Sequence, residues 1–126
     1  MSEDNRVPAI KVMMLPKDTN RMGTIFGGVI LSYIDLAGAV EAEKHAAKRF
    51  VTKAMREVQF VAPVFLGDLV CFYTRTLRLG TTSVTVAVEV ESERFVDGVR
   101  QMIPVTSAEV VYVAVDDEGK PTQIKN

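Results

Sequence analysis

DTNRMGTIFGGVILSYIDLAGA, residues 18–39, runs from a polar turn through a glycine pair into an apolar segment that carries one carboxylate, Asp35. Its large apolar residues fall on most sides of a helical wheel, which is typical of a helix buried in a core. A carboxylate among them loses hydration, and that is costly unless something compensates it. Asp35 is therefore either a functional carboxylate or one held in a structural network of hydrogen bonds.

The predicted helix begins near Gly28 and continues to about Lys48, roughly 30 Å at 1.5 Å per residue. Its second half is charged, so we expect that end to reach solvent. The remaining segments predict one β-strand before the helix and four after it, at 9–15, 50–61, 69–77, 82–90 and 103–115.

Turn signals predict how these strands are connected. The short gaps at Leu79-Gly80-Thr81 and Asp97-Gly98 predict hairpins, and hairpins make an antiparallel sheet. Pro104 cannot donate to a strand ladder, so we expect it at a strand start or edge. The fold class is α+β, with one long helix against a curved antiparallel sheet. The helix is apolar all round only if the sheet curls about it or a partner covers its other side.

Length and composition narrow the class of protein. The chain has 126 residues, which suits one domain, and we expect that domain at 7–121, with a disordered N-terminal tail at 1–6 and a C-terminal tail at 122–126. The 15 Lys and Arg balance 16 Asp and Glu, so no basic surface favours nucleic acid. No apolar run has the roughly 20 residues that span a bilayer.

The sequence gives weaker evidence on cellular location and on cofactors than on fold class. The polar N-terminus lacks the apolar core of a signal peptide, and the lone Cys71 cannot form an internal disulfide. Both features favour the cytoplasm. The sequence has no pattern for a metal, flavin or nicotinamide cofactor.

One face of the predicted helix is small and polar. Gly28, Ser32, Asp35 and Ala39 are spaced by four, three and four residues, which places them together. We therefore expect Asp35 to look out of the core into a cleft, with Ser32 one turn before it as a substrate-binding candidate.

The start of the helix offers a second chemical group. The amides of Gly27 and Gly28 lie at the positive end of the helix dipole, and glycine lets a ligand approach closely. Asn20 adds an amide that can orient a carbonyl or a water. A carbonyl held by N–H donors near a carboxylate suits acyl transfer. The alternative is that the glycine pair is only a tight turn.

Residues 18–39 resemble the signature of the hotdog-fold acyl-CoA thioesterases, specifically the YciA-type acyl-CoA hydrolases. The similarity continues in the same order and spacing through VQFVAPVFLGDLVCFYTR, LGTTSVTVAVEVE and VVYVAVDDEGKP, so it covers the chain from about Val7 to Pro121. The resemblance implies a hotdog fold, in which a curved antiparallel sheet wraps one central helix.

The resemblance also implies roles for individual residues. Asp35 matches the catalytic aspartate, Asn20 the loop asparagine that completes the site, and Gly27 and Gly28 the amides that face the thioester oxygen. The two halves of each site come from opposite subunits of a dimer, and the family often forms hexamers as trimers of dimers. A hairpin segment matches residues near the coenzyme A nucleotide: Gly80, Thr81, Thr82 and Ser83.

This chain departs from the family pattern at two places. Many relatives carry histidine before the glycine pair, where this chain has Phe26. In the strand after the helix, many have an acid followed by a small residue, where this chain has Arg56-Glu57. Both departures bear on acyl-chain and pantetheine preference rather than on the reaction.

Other side chains have plainer interpretations. His45, the only histidine, lies ten residues past Asp35 on another helix face, and we interpret it as a surface residue. Cys71 has no evident base partner and fits a strand core. Arg78 and Arg94, with Arg100, are candidates for coenzyme A phosphates; the alternative is that they are solvated charges at strand ends.

These observations lead to two hypotheses. The first is an acyl-CoA thioesterase that releases a free fatty acid and coenzyme A, with Asp35 as general base or nucleophile. Coenzyme A is then part of the substrate rather than a cofactor. The second is a non-catalytic acyl-CoA-binding module on the same fold. A buried carboxylate favours the enzyme, since a binding module does not need one. Acyl chain length and physiological role stay open.

Overall fold

A computed structural model describes residues 6–125 of the chain. It contains one α-helix, one short 3₁₀ helix and five strands in chain order: β1 (Ile10–Met13), the 3₁₀ helix (Pro16–Asp18), α1 (Gly27–Ala42), β2 (Arg49–Phe60), β3 (Leu69–Leu79), β4 (Ser83–Val96) and β5 (Val99–Val115).

The five strands form a single sheet in the order β1-β3-β4-β5-β2, and every neighbouring pair is antiparallel. The predicted alternation in β4 is confirmed, because its valines from Val84 to Val90 are all buried while Glu89 is exposed. They face α1, which lies across the sheet. One helix on one antiparallel sheet confirms the predicted α+β class and the hotdog arrangement.

The two predicted hairpins are also confirmed. Gly80 donates its N–H to the carbonyl of Ser83 at 2.8 Å, which closes the β3–β4 turn. Asp97 and Gly98 both have left-handed backbones, with φ of 52° and 77°, as a two-residue hairpin requires. This turn joins strands longer than predicted, so Pro104 lies inside β5. It lies beside the bulge that Val105 forms in β5, beyond the last residue that β2 pairs, so its missing N–H costs no bond to β2.

The sheet covers only one side of α1. Ile30, Ile34 and Ala37 are buried against it, with at most 2% of their surface exposed. Leu36 and Val40, on the opposite side, are 57% and 46% exposed. The apolar character of the helix on all sides is therefore not explained by the curl of one sheet.

The helix is shorter than predicted, because it ends at Ala42 instead of near Lys48. The carboxylate of Glu41 turns inward and accepts hydrogen bonds from Thr74 and Thr76 of β3, at 3.0 and 2.8 Å. The next amides, of Lys44 and His45, bond three residues back and tighten the last turn. These hydrogen bonds hold the last turn of α1 against β3.

Both ends of the described chain contact the strands, but only the C-terminal end packs on the core. Ile124 is 3% exposed, and its N–H bonds to the carbonyl of Thr81 at 2.9 Å, so packing continues past the expected boundary at 121. Arg6 lies over the ring of Tyr73, 4.0 Å from its centroid. The rest of the expected N-terminal tail, residues 1–5, and residue 126 lie outside the described residues. Among residues 6–125, no helix is both long and apolar enough to cross a membrane.

Strand β2 is irregular where it pairs with β5. The register shifts between Arg56 and Gln59, and Glu57 lies in this bulge with a φ of 55°. A left-handed backbone is unfavourable for a side chain such as glutamate, by roughly 1–2 kcal/mol. The side chain of Glu57 is exposed, so it gains no favourable burial energy that would offset the strain of this backbone.

We expect Glu57→Gly to raise the free energy of unfolding by about 0.5–1 kcal/mol, because glycine adopts this backbone without strain. Urea unfolding at one fixed protein concentration measures the change. Arg75→Gly is the matched control, since Arg75 is an exposed strand residue with φ outside the positive region, and it should lower stability. Equal destabilisation by both substitutions would show that the bulge is unstrained.

Candidate active site

Asp35 lies in the third turn of α1, half-buried at the margin between the core and the open side of the helix. Its carboxylate is held by two neighbouring strands. The hydroxyl of Thr52, on β2, donates to Oδ1 at 2.6 Å. The phenol of Tyr112, on β5, donates to the backbone carbonyl of Asp35 at 2.6 Å and approaches Oδ1 at 3.3 Å.

Tyr112 can reach Asp35 because Gly38 has no side chain. A Cβ at Gly38 would stand 2.2 Å from the phenol oxygen, which is impossible without movement. Burial, and then the negative charge of Asp35, raise the pKa of Tyr112 well above its usual value. The phenol therefore stays protonated at ordinary pH and acts as a donor to Asp35.

The two oxygens of Asp35 have different environments. Both side-chain hydrogen bonds to this carboxylate, from Thr52 and Tyr112, reach Oδ1. Within residues 6–125, no hydrogen bond is made to Oδ2. One oxygen thus fixes the orientation of the carboxylate, while the other is available to take a proton or to attack a carbonyl carbon.

The start of α1 is flanked by two aromatic rings. The ring of Phe26 lies so close to Gly28 that a Cβ there would meet it at 2.8 Å, and the ring of Phe60 lies 3.6 Å from the Cβ position of Gly27. The first amides of a helix have no partner within it. The hydroxyl of Ser32 bonds back to the carbonyl of Gly28 at 3.0 Å, so the helix itself uses this predicted substrate-binding group.

Asn20 organises the loop that precedes α1. Its side-chain oxygen accepts the N–H groups of Met22 and Thr24 at 2.8 and 3.1 Å, and its amide nitrogen donates to the Thr24 hydroxyl at 2.8 Å. Asp18 supports the same loop, and the N–H of Leu15 holds the pKa of its carboxyl below the usual value. Asn20 makes no hydrogen bond to Asp35 among the described residues.

Only some of the residues predicted to bind coenzyme A lie close to one another. The turn at Gly80 and Thr81 borders a cleft of about 440 Å³ that Lys125 also lines, and Arg78 precedes this turn. Arg94 lies at the far end of β4, eleven residues from Ser83, or about 36 Å along a strand.

Arg94 has structural partners where it lies. Its guanidinium binds both carboxylate oxygens of Asp68, at 3.2 and 2.7 Å, and the carbonyl of Pro63 at 3.1 Å. It also lies over the ring of Phe65. In one chain, therefore, Arg94 supports the turn before β3 and is remote from the β3–β4 hairpin.

The remaining titratable candidates lie away from Asp35. His45 contacts the hydroxyl of Thr76 at 2.8 Å through Nε2, so it is half-buried against β3 rather than on the open surface. Burial alone would raise the pKa of Glu41, but hydrogen bonds from Thr76, Lys44 and Thr74 hold it below its usual value. Cys71 is buried, and this raises the pKa of its thiol.

Sequence reasoning identified Asp35 but missed the residues that position it. Thr52 and Tyr112 lie 17 and 77 positions away, and no local pattern links them to the helix. Gly38 did carry a signal, because a glycine inside a helix is unfavourable and often marks a close approach of another group.

Comparisons with known proteins agree on one family. The thioesterase superfamily model matches residues 22–95. The acyl-CoA thioester hydrolase YciA of Escherichia coli is 40% identical over 126 residues, which cover 96% of each chain. A hexameric hotdog-fold thioesterase of Campylobacter jejuni, Cj0915, is 45% identical with a TM-score of 0.90, covering 94% of this chain and 90% of that one.

An acyl-CoA hydrolase of Staphylococcus aureus is also similar. It is 30% identical with a TM-score of 0.81, over 90% of this chain and 69% of that one. Alanine variants of that protein replace a threonine and an aspartate that are 17 positions apart, as are Asp35 and Thr52 here. The family match, the identity over nearly the whole chain and the shared fold show that this chain belongs to the hotdog-fold thioesterase superfamily.

Proposed function

We propose that this protein hydrolyses the thioester of acyl-CoA to a free fatty acid and coenzyme A. The observation that carries the proposal is the carboxylate of Asp35, which Thr52 and Tyr112 hold by one oxygen while the other stays available. Relatives named as acyl-CoA thioester hydrolases support the same reaction. Coenzyme A is part of the substrate and product, and the proposal requires no separate cofactor.

The reaction needs two groups at the thioester. Asp35 either activates a water by taking its proton or attacks the carbonyl carbon itself, and Oδ2 suits both roles. The free amides at Gly27 and Gly28 stabilise the negative charge that develops on the carbonyl oxygen, aided by the helix dipole. The thiolate of coenzyme A then leaves, and water provides the hydroxyl of the released acid.

One chain cannot supply both groups to one thioester. Gly28 and Asp35 are seven residues apart on the same helix, or about 10 Å along its axis. An amide must lie within about 3 Å of the oxyanion and the carboxylate within similar reach of the carbon. We therefore assign the helix start, with Asn20, to one subunit of each site and Asp35 to the other.

The surface around α1 and β2 supports a homodimer as the minimal unit. Strand β2 is an edge of the sheet, and an exposed edge favours pairing with another chain. Leu36 and Val40 on α1 expose apolar surface on the side of the helix that the sheet does not cover. The related thioesterase of C. jejuni is hexameric, and we propose a hexamer here, built as a trimer of dimers.

Two further features belong to the proposal. The β3–β4 hairpin, at Gly80, Thr81, Thr82 and Ser83, would meet the nucleotide of coenzyme A, with Arg78 beside it for phosphate. We also propose a cytoplasmic location, because the buried free thiol of Cys71 suits a reducing compartment.

A thiol-release assay with acetyl-, butyryl- and long-chain acyl-CoA tests the activity directly. Release above the uncatalysed background is the expected result. If coenzyme A bound to the protein but no acyl-CoA was cleaved, a non-catalytic acyl-CoA-binding module would replace the enzyme.

We expect Asp35→Asn to lower turnover by about 10²–10⁴-fold, because the amide neither accepts a proton nor attacks the thioester. The fold should persist, since the amide oxygen can still accept from Thr52 and Tyr112. Glu41→Gln is the matched control, as Glu41 is a buried carboxylate on the same helix that bonds to β3. Near-native turnover of Asp35→Asn would remove Asp35 from the mechanism.

We expect Thr52→Val to lower kcat more than it raises KM, by about tenfold, because the carboxylate loses a 2.6 Å hydrogen bond worth roughly 1.5 kcal/mol. Thr52→Ser keeps the hydroxyl and should restore most of the rate. Steady-state kinetics with butyryl-CoA measures both variants. A serine variant as slow as the valine variant would mean that Thr52 only packs.

Mixing two inactive variants tests the shared site. Asn20→Asp keeps the oxygen that accepts the loop amides, so it is less disruptive than alanine, and Asp35→Ala removes the carboxylate. In a mixed dimer one site carries both lesions and the other carries none. After equal amounts are unfolded and refolded together, activity should approach about a quarter of refolded wild type.

The controls of this mixing experiment are each variant refolded alone and refolded wild type. Native mass spectrometry must show that mixed dimers have formed. Mixed dimers without recovered activity would mean that both residues serve within one subunit or that Asn20 is structural.

A further inference from the structure

A cleft of about 290 Å³ opens beside the start of α1. Gly27 and Ile30 of the helix form one wall, and the end of β2 with the segment 61–64 forms the other. Its lining side chains are apolar except at one position, Thr106. The volume is at the small end of the range for ligand pockets, so it suits a short group.

Thr106 is the polar group of this cleft and has no partner. It is 4% exposed, and within residues 6–125 its hydroxyl makes no hydrogen bond. On β5 it pairs directly with Val90 of β4, a core residue, so both side chains lie on the helix side of the sheet. Leaving a buried hydroxyl unpaired is unfavourable, which calls for an explanation at this site.

The cleft adjoins the amides that would hold the thioester oxygen. Gly27 belongs both to the cleft lining and to the first turn of α1. A thioester whose oxygen meets these amides has its acyl carbons directed away from coenzyme A, and the cleft is the adjoining space. A plain alkyl chain there would leave the Thr106 hydroxyl unpaired.

We propose that this cleft binds the acyl group and that the Thr106 hydroxyl selects short acyl groups that carry an oxygen substituent, such as 3-hydroxyacyl groups. The inference rests on the proposed thioesterase activity and adds a substrate class to it. A threonine hydroxyl both donates and accepts, so it can pair with a hydroxyl or a keto oxygen. Sites built to bond a substrate hydroxyl discriminate against analogues that lack it.

The test compares butyryl-CoA with 3-hydroxybutyryl-CoA, which have equal chain length and differ by one hydroxyl. The ratio of their kcat/KM values is measured for the wild type and for Thr106→Val, which replaces the hydroxyl by a methyl group. We expect the valine variant to lose about tenfold of the relative preference for the hydroxylated substrate, measured as the change in this ratio. Thr106→Ser keeps the hydroxyl and should retain the wild-type ratio.

Ser92→Ala is the matched control, because within residues 6–125 the buried hydroxyl of Ser92 also has no partner and Ser92 does not line the cleft. This variant should leave the ratio unchanged. An unchanged ratio in Thr106→Val, an equal loss on both substrates, or an equal shift in Ser92→Ala would each overturn the inference. Wild type that cleaves neither substrate nor any other acyl-CoA would overturn the thioesterase proposal itself, whereas cleavage with no hydroxyl discrimination would overturn only this inference.

Discussion

The contact of Tyr112 with α1 at Gly38 is the constraint on which the site depends. A helix lying on a sheet can rotate about its own axis unless a specific contact prevents it. Here the phenol passes over Gly38 and bonds to the carbonyl of Asp35 at 2.6 Å. Because glycine is the one residue that leaves this space, the helix is fixed with Asp35 toward β5 and β2. The destabilising effect of a glycine within a helix, about 1 kcal/mol, is compatible with that packing role.

The orientation of α1 about its own axis also determines which strand can reach the carboxylate of Asp35. With Asp35 turned toward β5, the next strand of the sheet is β2, and Thr52 lies there at 2.6 Å from Oδ1. Two neutral hydroxyl donors orient the carboxylate without neutralising it, as a lysine or arginine partner would. The same contacts that fix the helix on the sheet thus also fix the orientation of the carboxylate on which the proposed mechanism depends.

The sequence predicted the parts of this structure that local patterns encode. Val84 to Val90 showed the period of a strand, and Asp97-Gly98 showed its turn, so β4 and its hairpin followed directly. The helix end was wrong because Glu41 bonds to β3, more than thirty positions away. Thr52 and Tyr112 were not predicted as partners of Asp35, because only the folded structure brings these distant residues to it.

The rise of an α-helix is the physical reason why we propose that each site is shared between two subunits. A carboxylate and a set of free amides separated by about 10 Å on one rigid helix cannot converge on one carbon atom. In the dimer that we propose, a two-fold axis beside the helix would set the start of one helix near the middle of the other. The same side of the molecule exposes Leu36 and Val40, which remain in contact with water unless a second chain covers them. In that proposed dimer, burial of apolar surface and completion of the site would favour the same interface, which would then provide both stability and reactivity.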